Sequence, residues 1–152
     1  MDVHAETNLL VYAGFSDDIL LKNDTSLQTN GVIAAMPISS PDYLWALSGV
    51  KKFRFTEVKI IKDGSQIAAI TDSVEKDLDY QSYIMVLQSN NGNIVFQYKM
   101  NSSSVDVFNQ ILIGKSQQVN GVVPVYIMAM HAHFHLLRLD FSSTTTMKAW
   151  HI

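Results

Sequence analysis

The sequence predicts a mainly β protein, an antiparallel β-sandwich or barrel (jelly-roll-like) with two short helices. Asp63-Gly64 and Asn91-Gly92 are two-residue hairpin signals, each between apolar runs that are typical of strands. Residues 94–100 alternate apolar and polar side chains with the period of a strand. Only seven glycines and three prolines interrupt the 152 residues, so we expect one β-rich domain over residues 1–152 with eight to ten strands.

Strands are expected in both halves of the chain. The interrupted alternation within 52–61 predicts a bulge near Thr56-Glu57. Residues 122–141 are strand-like throughout, but at roughly 3.3 Å per residue they would extend about 66 Å, so we expect a break near Ala129–His131. The remaining predicted strands are 8–14, 18–22, 31–36, 66–70, 82–88 and 93–100, with 144–152 as an edge strand or arm. No internal repeat of 20–50 residues is apparent.

The two helices are predicted from their ends. Over 40–49, Ser40 fits an N-cap, Pro41 the first helical position, and Gly49 a C-terminal stop. Over 103–113, Ser103 and Asp106 resemble a capping pair, and apolar residues follow at helical spacing.

Composition and charge limit the classes of partner. The charged fraction is 16%, against about 25% in average chains, and a weakly charged surface opposes self-association little. A formal net charge of −3 argues against a nucleic-acid partner. Five basic residues between Lys51 and Lys62 indicate a solvated strand face or, alternatively, a phosphate-binding stripe.

The chain has no cysteine, which excludes disulfides and thiolate sites. It also shows no signal peptide and no apolar run of membrane-spanning length. We expect cytoplasmic synthesis without a signal peptide, with a virion or another assembled particle as the final location.

Three histidines form the strongest candidate metal site. On a strand, His131, His133 and His135 would share one face, and imidazole is a common metal ligand. The segment resembles the His-x-His pairs of trimeric phage fibre and spike tips, which implies a transition metal held between chains. It also resembles the metal strands of cupins and carbonic anhydrases, although the glutamate that a cupin places downstream is missing. The alternative is a half-buried histidine face or subunit contact without metal.

Two further candidate sites have simpler alternatives. Asn91, Asn93, Trp45 and Trp150 could bind a glycan through amides and ring faces, whereas turn chemistry alone also explains the asparagines. The carboxylates between Asp72 and Asp79 suggest Ca²⁺, but they lack the EF-hand spacing, so a solvated loop is the competing interpretation.

The sequence contains no nucleotide-binding glycine motif and no nucleophile elbow. We therefore expect a non-enzymatic structural or assembly subunit without a cofactor, which forms a homo-oligomer or a larger particle. A phage or virus shell, tail or decoration protein is an example, and its partners would be copies of itself and other particle subunits. The alternatives are a lectin-like carbohydrate-binding module and a metal-binding protein that uses the histidine strand.

Overall fold

The computed structural model describes residues 1–16, 30–51, 53–61, 63–73, 83–99, 108–113, 123–130, 134–141 and 148–151. Within these ranges the chain forms twelve strands. They are β1 (Asp2–His4), β2 (Leu9–Ser16), β3 (Asn30–Pro37), β4 (Trp45–Lys51), β5 (Phe53–Ile61), β6 (Gln66–Ser73), β7 (Tyr83–Gln88), β8 (Ile94–Lys99), β9 (Phe108–Ile113), β10 (Val123–Met130), β11 (Phe134–Phe141) and β12 (Lys148–His151).

The strands form three four-stranded sheets, and each sheet is an antiparallel meander. The first sheet contains β1 to β4, the middle sheet β5 to β8, and the third sheet β9 to β12, each in chain order. The predicted mainly β, antiparallel fold is confirmed. Among the described strands every hydrogen-bonded pair joins neighbours in sequence, so the crossover of a jelly roll does not occur there.

Both predicted helices are wrong where the structure describes them. Within 40–49, β4 begins at Trp45 and pairs with β3 in the register Ala35↔Trp45. The hydroxyl of Ser40 does accept a hydrogen bond from the Asp42 backbone N–H at 3.2 Å, but it closes a turn instead of starting a helix. The cap residues suit either structure, and pairing with β3 decides between them.

The second predicted helix, 103–113, contains β9, which pairs with β10; residues 103–107 lie outside the described residues. Apolar side chains at 108, 111 and 112 fit both periods in so short a window, so only the partner strand separates the two structures. The described residues contain no helix, and therefore none long and apolar enough to cross a membrane.

The hairpin, bulge and break predictions are confirmed. Asp63 and Gly64 both have positive φ, 54° and 82°, as a type I′ turn requires. The register of β5 against β6 shifts between Phe55 and Glu57, at the predicted bulge. The run 122–141 divides into the antiparallel pair β10 and β11, and β12 is an edge strand of the third sheet. The predicted strand 18–22 lies outside the described residues.

A buried apolar cluster joins the first and middle sheets. Sheets that pack face to face bury alternate residues of each strand, and the members follow that rule. They are Leu9, Val11, Ile33 and Ala35 from the first sheet and Phe55, Val58, Ile60, Ile67, Ala69, Met85 and Leu87 from the middle sheet.

The central strands of the middle sheet, β6 and β7, are buried on both faces. In β6 the consecutive residues Ile67 to Ile70 are all fully buried. The face directed away from the first sheet includes Ile84 and Val86, also fully buried, and it meets Ile111 of β9. An uninterrupted apolar run is the sequence pattern of a strand covered on two sides.

The first strand of each following sheet lies against the sheet that precedes it, and this arrangement occurs twice. β5 lies against β2 and, less extensively, against β3 and β1. β9 lies in the same way against β6 and β5. The first strands begin at Asp2, Phe53 and Phe108, which are 51 and 55 residues apart. The fold therefore repeats a unit that is not apparent in the sequence.

Candidate functional site

At each of the two junctions between sheets, a carboxylate accepts a hydrogen bond from a backbone N–H of the following sheet. Asp2 Oδ2 accepts a hydrogen bond from the backbone N–H of Ile60 at 2.7 Å, and Glu57 Oε2 accepts one from the N–H of Ile111 at 2.6 Å. Both donors lie on edge strands, β5 and β9, where half of the backbone N–H groups have no ladder partner. A carboxylate acceptor makes such a bond charge-assisted and therefore strong.

The ion pair at the first junction contributes less than the backbone contact. Lys59 Nζ lies 4.0 Å from Asp2 Oδ1, and both side chains are partly exposed to solvent. Solvent screening holds pairs of this kind to at most about 1 kcal/mol. We therefore assign the stabilising role at this junction to the contact between Asp2 and the Ile60 N–H.

Two glycine turns of the middle sheet receive side chains from the first sheet. An added Cβ at Gly64 would lie 2.5 Å from Thr7 Oγ1, and one at Gly92 would lie 2.7 Å from Trp45 Cε3. Both glycines have positive φ, 82° and 73°. His4 Nδ1 is 2.9 Å from Thr7 Oγ1, which fixes the side chain above Gly64. Glycine is thus required at both turns by backbone conformation and by space.

Hydrogen bonds connect these turns to one another. The indole Nε1 of Trp45 donates to the carbonyl oxygen of Ser89 at 2.8 Å. The N–H of Ser89 donates in turn to the carbonyl oxygen of Ser65 at 3.1 Å. The start of β4 and the two hairpin turns of the middle sheet therefore form one connected end of the molecule.

An open polar groove of about 370 Å³ lies at this end, lined by Ser65, Gln66, Gln88, Ser89 and Asn90. The side-chain oxygen of Gln66 is buried and accepts no hydrogen bond from the residues that the structure describes.

The structure brings together three of the four predicted glycan-binding residues. Trp45 packs on the turn that carries Asn91 and Asn93. The asparagines, however, are engaged within the turn: Asn91 Oδ1 accepts from the Asn93 N–H at 2.9 Å, and Asn91 Nδ2 donates to Gln88 Oε1 at 3.0 Å. Trp150 is separate, because it lies on β12 of the third sheet, opposite Arg138.

The predicted metal site remains a prediction. His131 and His133 lie outside the described residues, and His135 is placed by its backbone on β11, opposite Ala129. In the part of the chain that the structure describes, no group of three or more His, Asp or Glu side chains could hold a metal ion. Of the acidic segment, Asp72 lies on β6 opposite Arg54, and the other carboxylates fall outside the described ranges.

A tyrosine pair lies on the face of the first sheet opposite the buried cluster. Tyr12 Oη donates to Tyr43 Oη at 2.8 Å, with ring centroids 6.1 Å apart. Burial, together with the hydrogen bond to Tyr43, raises the pKa of Tyr12 to about 12. The phenol of Tyr12 therefore stays protonated to higher pH than an ordinary tyrosine and acts as a hydrogen-bond donor.

One weak pattern in the sequence marks the junction carboxylates. Asp2-Val3-His4 and Glu57-Val58-Lys59 share the order acid, valine, basic residue. Three residues are too few to reveal a repeat, and only the two hydrogen bonds identify them as equivalent. Comparison of the chain with family models, curated proteins and solved structures finds no match.

Proposed function

We propose that this protein is a non-enzymatic assembly subunit that associates with copies of itself through apolar sheet faces. The observation that carries the proposal is a difference between equivalent positions. Val58 and Ile60 of β5 are 1% and 5% exposed because the first sheet covers them, whereas Val3 of β1 is 50% exposed. An apolar side chain that is exposed where its equivalents are buried is a candidate interface residue.

Several features support self-association over catalysis. The chain carries a net charge of −3 and a charged fraction of 16%, so copies repel one another weakly. The polar groups at the turn end largely hydrogen-bond to one another, as a structural element requires. Face-to-face sheets of this sandwich-like kind suit the shell, tail and decoration subunits of virus particles, which is the class we propose.

The test is the native mass of the chain, measured by light scattering after size exclusion from low to high micromolar concentration. We expect a defined species of two or more 17.0 kDa chains. A monomer over the whole concentration range would overturn the proposal. The mass in 1 M salt is a useful control, because an apolar interface persists when charges are screened.

The groove favours glycan binding as a second candidate function. Hydroxyl and amide side chains line the groove, and the Trp45 indole is hydrogen-bonded to Ser89 of its lining, so polar groups and an aromatic ring lie close together, as in sugar sites. Titration of a monosaccharide panel, followed by amide chemical shifts, would show saturable changes at Ser89 and Asn90. Asn90→Ala, in the groove, should abolish the change at Ser89, and Gln97→Leu, on exposed β8, should not.

A further inference from the structure

We infer that two copies of this chain close into a six-sheet ring, in which the third sheet of each copy packs on the first sheet of the other. This inference rests on the proposed self-association and specifies the interacting surfaces and the number of copies. Each sheet is a four-stranded meander whose first strand lies against the preceding meander, as in the blades of a β-propeller.

The number of copies follows from ring closure. Propellers typically contain four to eight blades around a central axis. In each chain the residues that the structure describes form three sheets. Two chains give six blades, which is within that range, whereas three chains give nine, which is outside it. One copy, with three blades, falls below the range.

The outward face of β1 supplies one half of the interface. Asp2 points toward β5, as its bond to Ile60 shows, so the next residue, Val3, lies on the opposite face. Val3 pairs with Leu10 of β2, and Tyr12 follows Leu10 on the same face. Val58 and Ile60 lie on the corresponding face of the middle sheet, which packs on the first sheet.

The outward face of β9 supplies the other half. Ile111 is buried against the middle sheet, so Gln110 and Leu112 lie on the opposite face, and Leu112 is 42% exposed. Gln110 corresponds in register to Lys59, because Ile111 and Ile60 follow them and both donate their N–H to a carboxylate of the preceding sheet. Its side-chain amide can accept a hydrogen bond from an edge N–H of β1 in the second copy.

A second copy fits this surface better than a partner of different chemistry. The interface would continue the arrangement already present at two junctions within the chain. It joins apolar side chains and a neutral amide, so no charge of these residues is buried. The contact is head to tail, and a ring of two copies contains it twice under a two-fold axis, which leaves no free end.

The absence of cysteine makes a cross-linking test direct. The Val3→Cys, Leu112→Cys double variant is treated with a bismaleimide whose span matches the roughly 10 Å between facing sheets. We expect a covalent dimer of two 17.0 kDa chains from the double variant and none from either single variant. A dimer from Val3→Cys alone would show that two first sheets meet face to face, and would overturn the ring.

Charge variants test the same surfaces by mass. Val3→Asp and Leu112→Lys should each give a folded monomer, and mixing the two variants should restore a dimer, because each retains the half that the other lacks. Val95→Lys, at an apolar residue of β8 that is 40% exposed, is the matched control and should keep the native mass. Circular dichroism establishes that each variant is folded.

The outcomes separate the two proposals. A monomeric unmodified chain overturns both self-association and the ring, and leaves these faces to a partner other than a second copy. An oligomer that both charge variants leave unchanged, or one of three or more copies, overturns only the ring.

Discussion

Removal of the Glu57 carboxylate should destabilise the junction between the middle and third sheets. Glu57 Oε2 accepts a 2.6 Å hydrogen bond from the partly buried N–H of Ile111. Hydrogen bonds to charged groups contribute about 1.5–3 kcal/mol, and an orphaned buried N–H costs about 1–3 kcal/mol. We expect Glu57→Ala to lower the free energy of unfolding by about 2 kcal/mol, roughly a thirtyfold change in the folding equilibrium.

Glu57→Gln separates the charge from the hydrogen bond. The amide oxygen still accepts the Ile111 N–H, but as a neutral acceptor, so we expect a loss of about 1 kcal/mol. Glu6→Ala is the matched control, because Glu6 is an exposed glutamate in the turn between β1 and β2. Surface substitutions of this kind change stability by at most about 0.5 kcal/mol.

The assay is urea unfolding at one fixed protein concentration, since self-association would otherwise shift the apparent stability. Amide hydrogen exchange adds a local measurement: the Ile111 amide should exchange faster in Glu57→Ala than in the unmodified chain. The reasoning is refuted if Glu57→Ala is no less stable than Glu6→Ala and the Ile111 amide keeps its protection.

Three further predictions concern a turn, the core and pH. Gly92→Ala should lower the free energy of unfolding in urea by roughly 2 kcal/mol or more, because φ at Gly92 is positive and the new Cβ would meet the Trp45 ring. Gly14→Ala should be near neutral, because no atom lies within 4 Å of the added Cβ. Equal losses in the two variants would contradict this. Ile70→Ala should cost about 2–5 kcal/mol in the same assay, whereas Ile94→Ala, at a half-exposed site, should cost far less. Stability should fall as pH rises from 10 to about 12, because the unfolded chain releases the Tyr12 proton near pH 10 while the folded chain retains it; Tyr12→Phe should reduce that loss in alkaline unfolding curves.

The sequence predicted the site contacts that are local in the chain but not those between distant residues. Asn91, Gly92 and Asn93 could be assigned to a turn from the sequence, because turn chemistry acts within a few residues. The position of Trp45 over that turn could not, since 44 residues separate Trp45 from its acceptor Ser89. The same holds for Asp2 and Glu57, which reach donors 58 and 54 residues away.

The sequence by itself determined the β class, the hairpin at Asp63-Gly64, the bulge after Phe55 and the division of the long run 122–141, because period-two patterning and turn conformations are local properties. It did not determine the state of 40–49 and 108–113, whose cap residues and apolar spacings suit a helix and a strand equally. Only the tertiary structure decided these, because β3 and β10 offered backbone partners to β4 and β9. It also decided that three meanders repeat one packing arrangement, since burial between sheets depends on residues far apart in the chain and leaves almost no local signal.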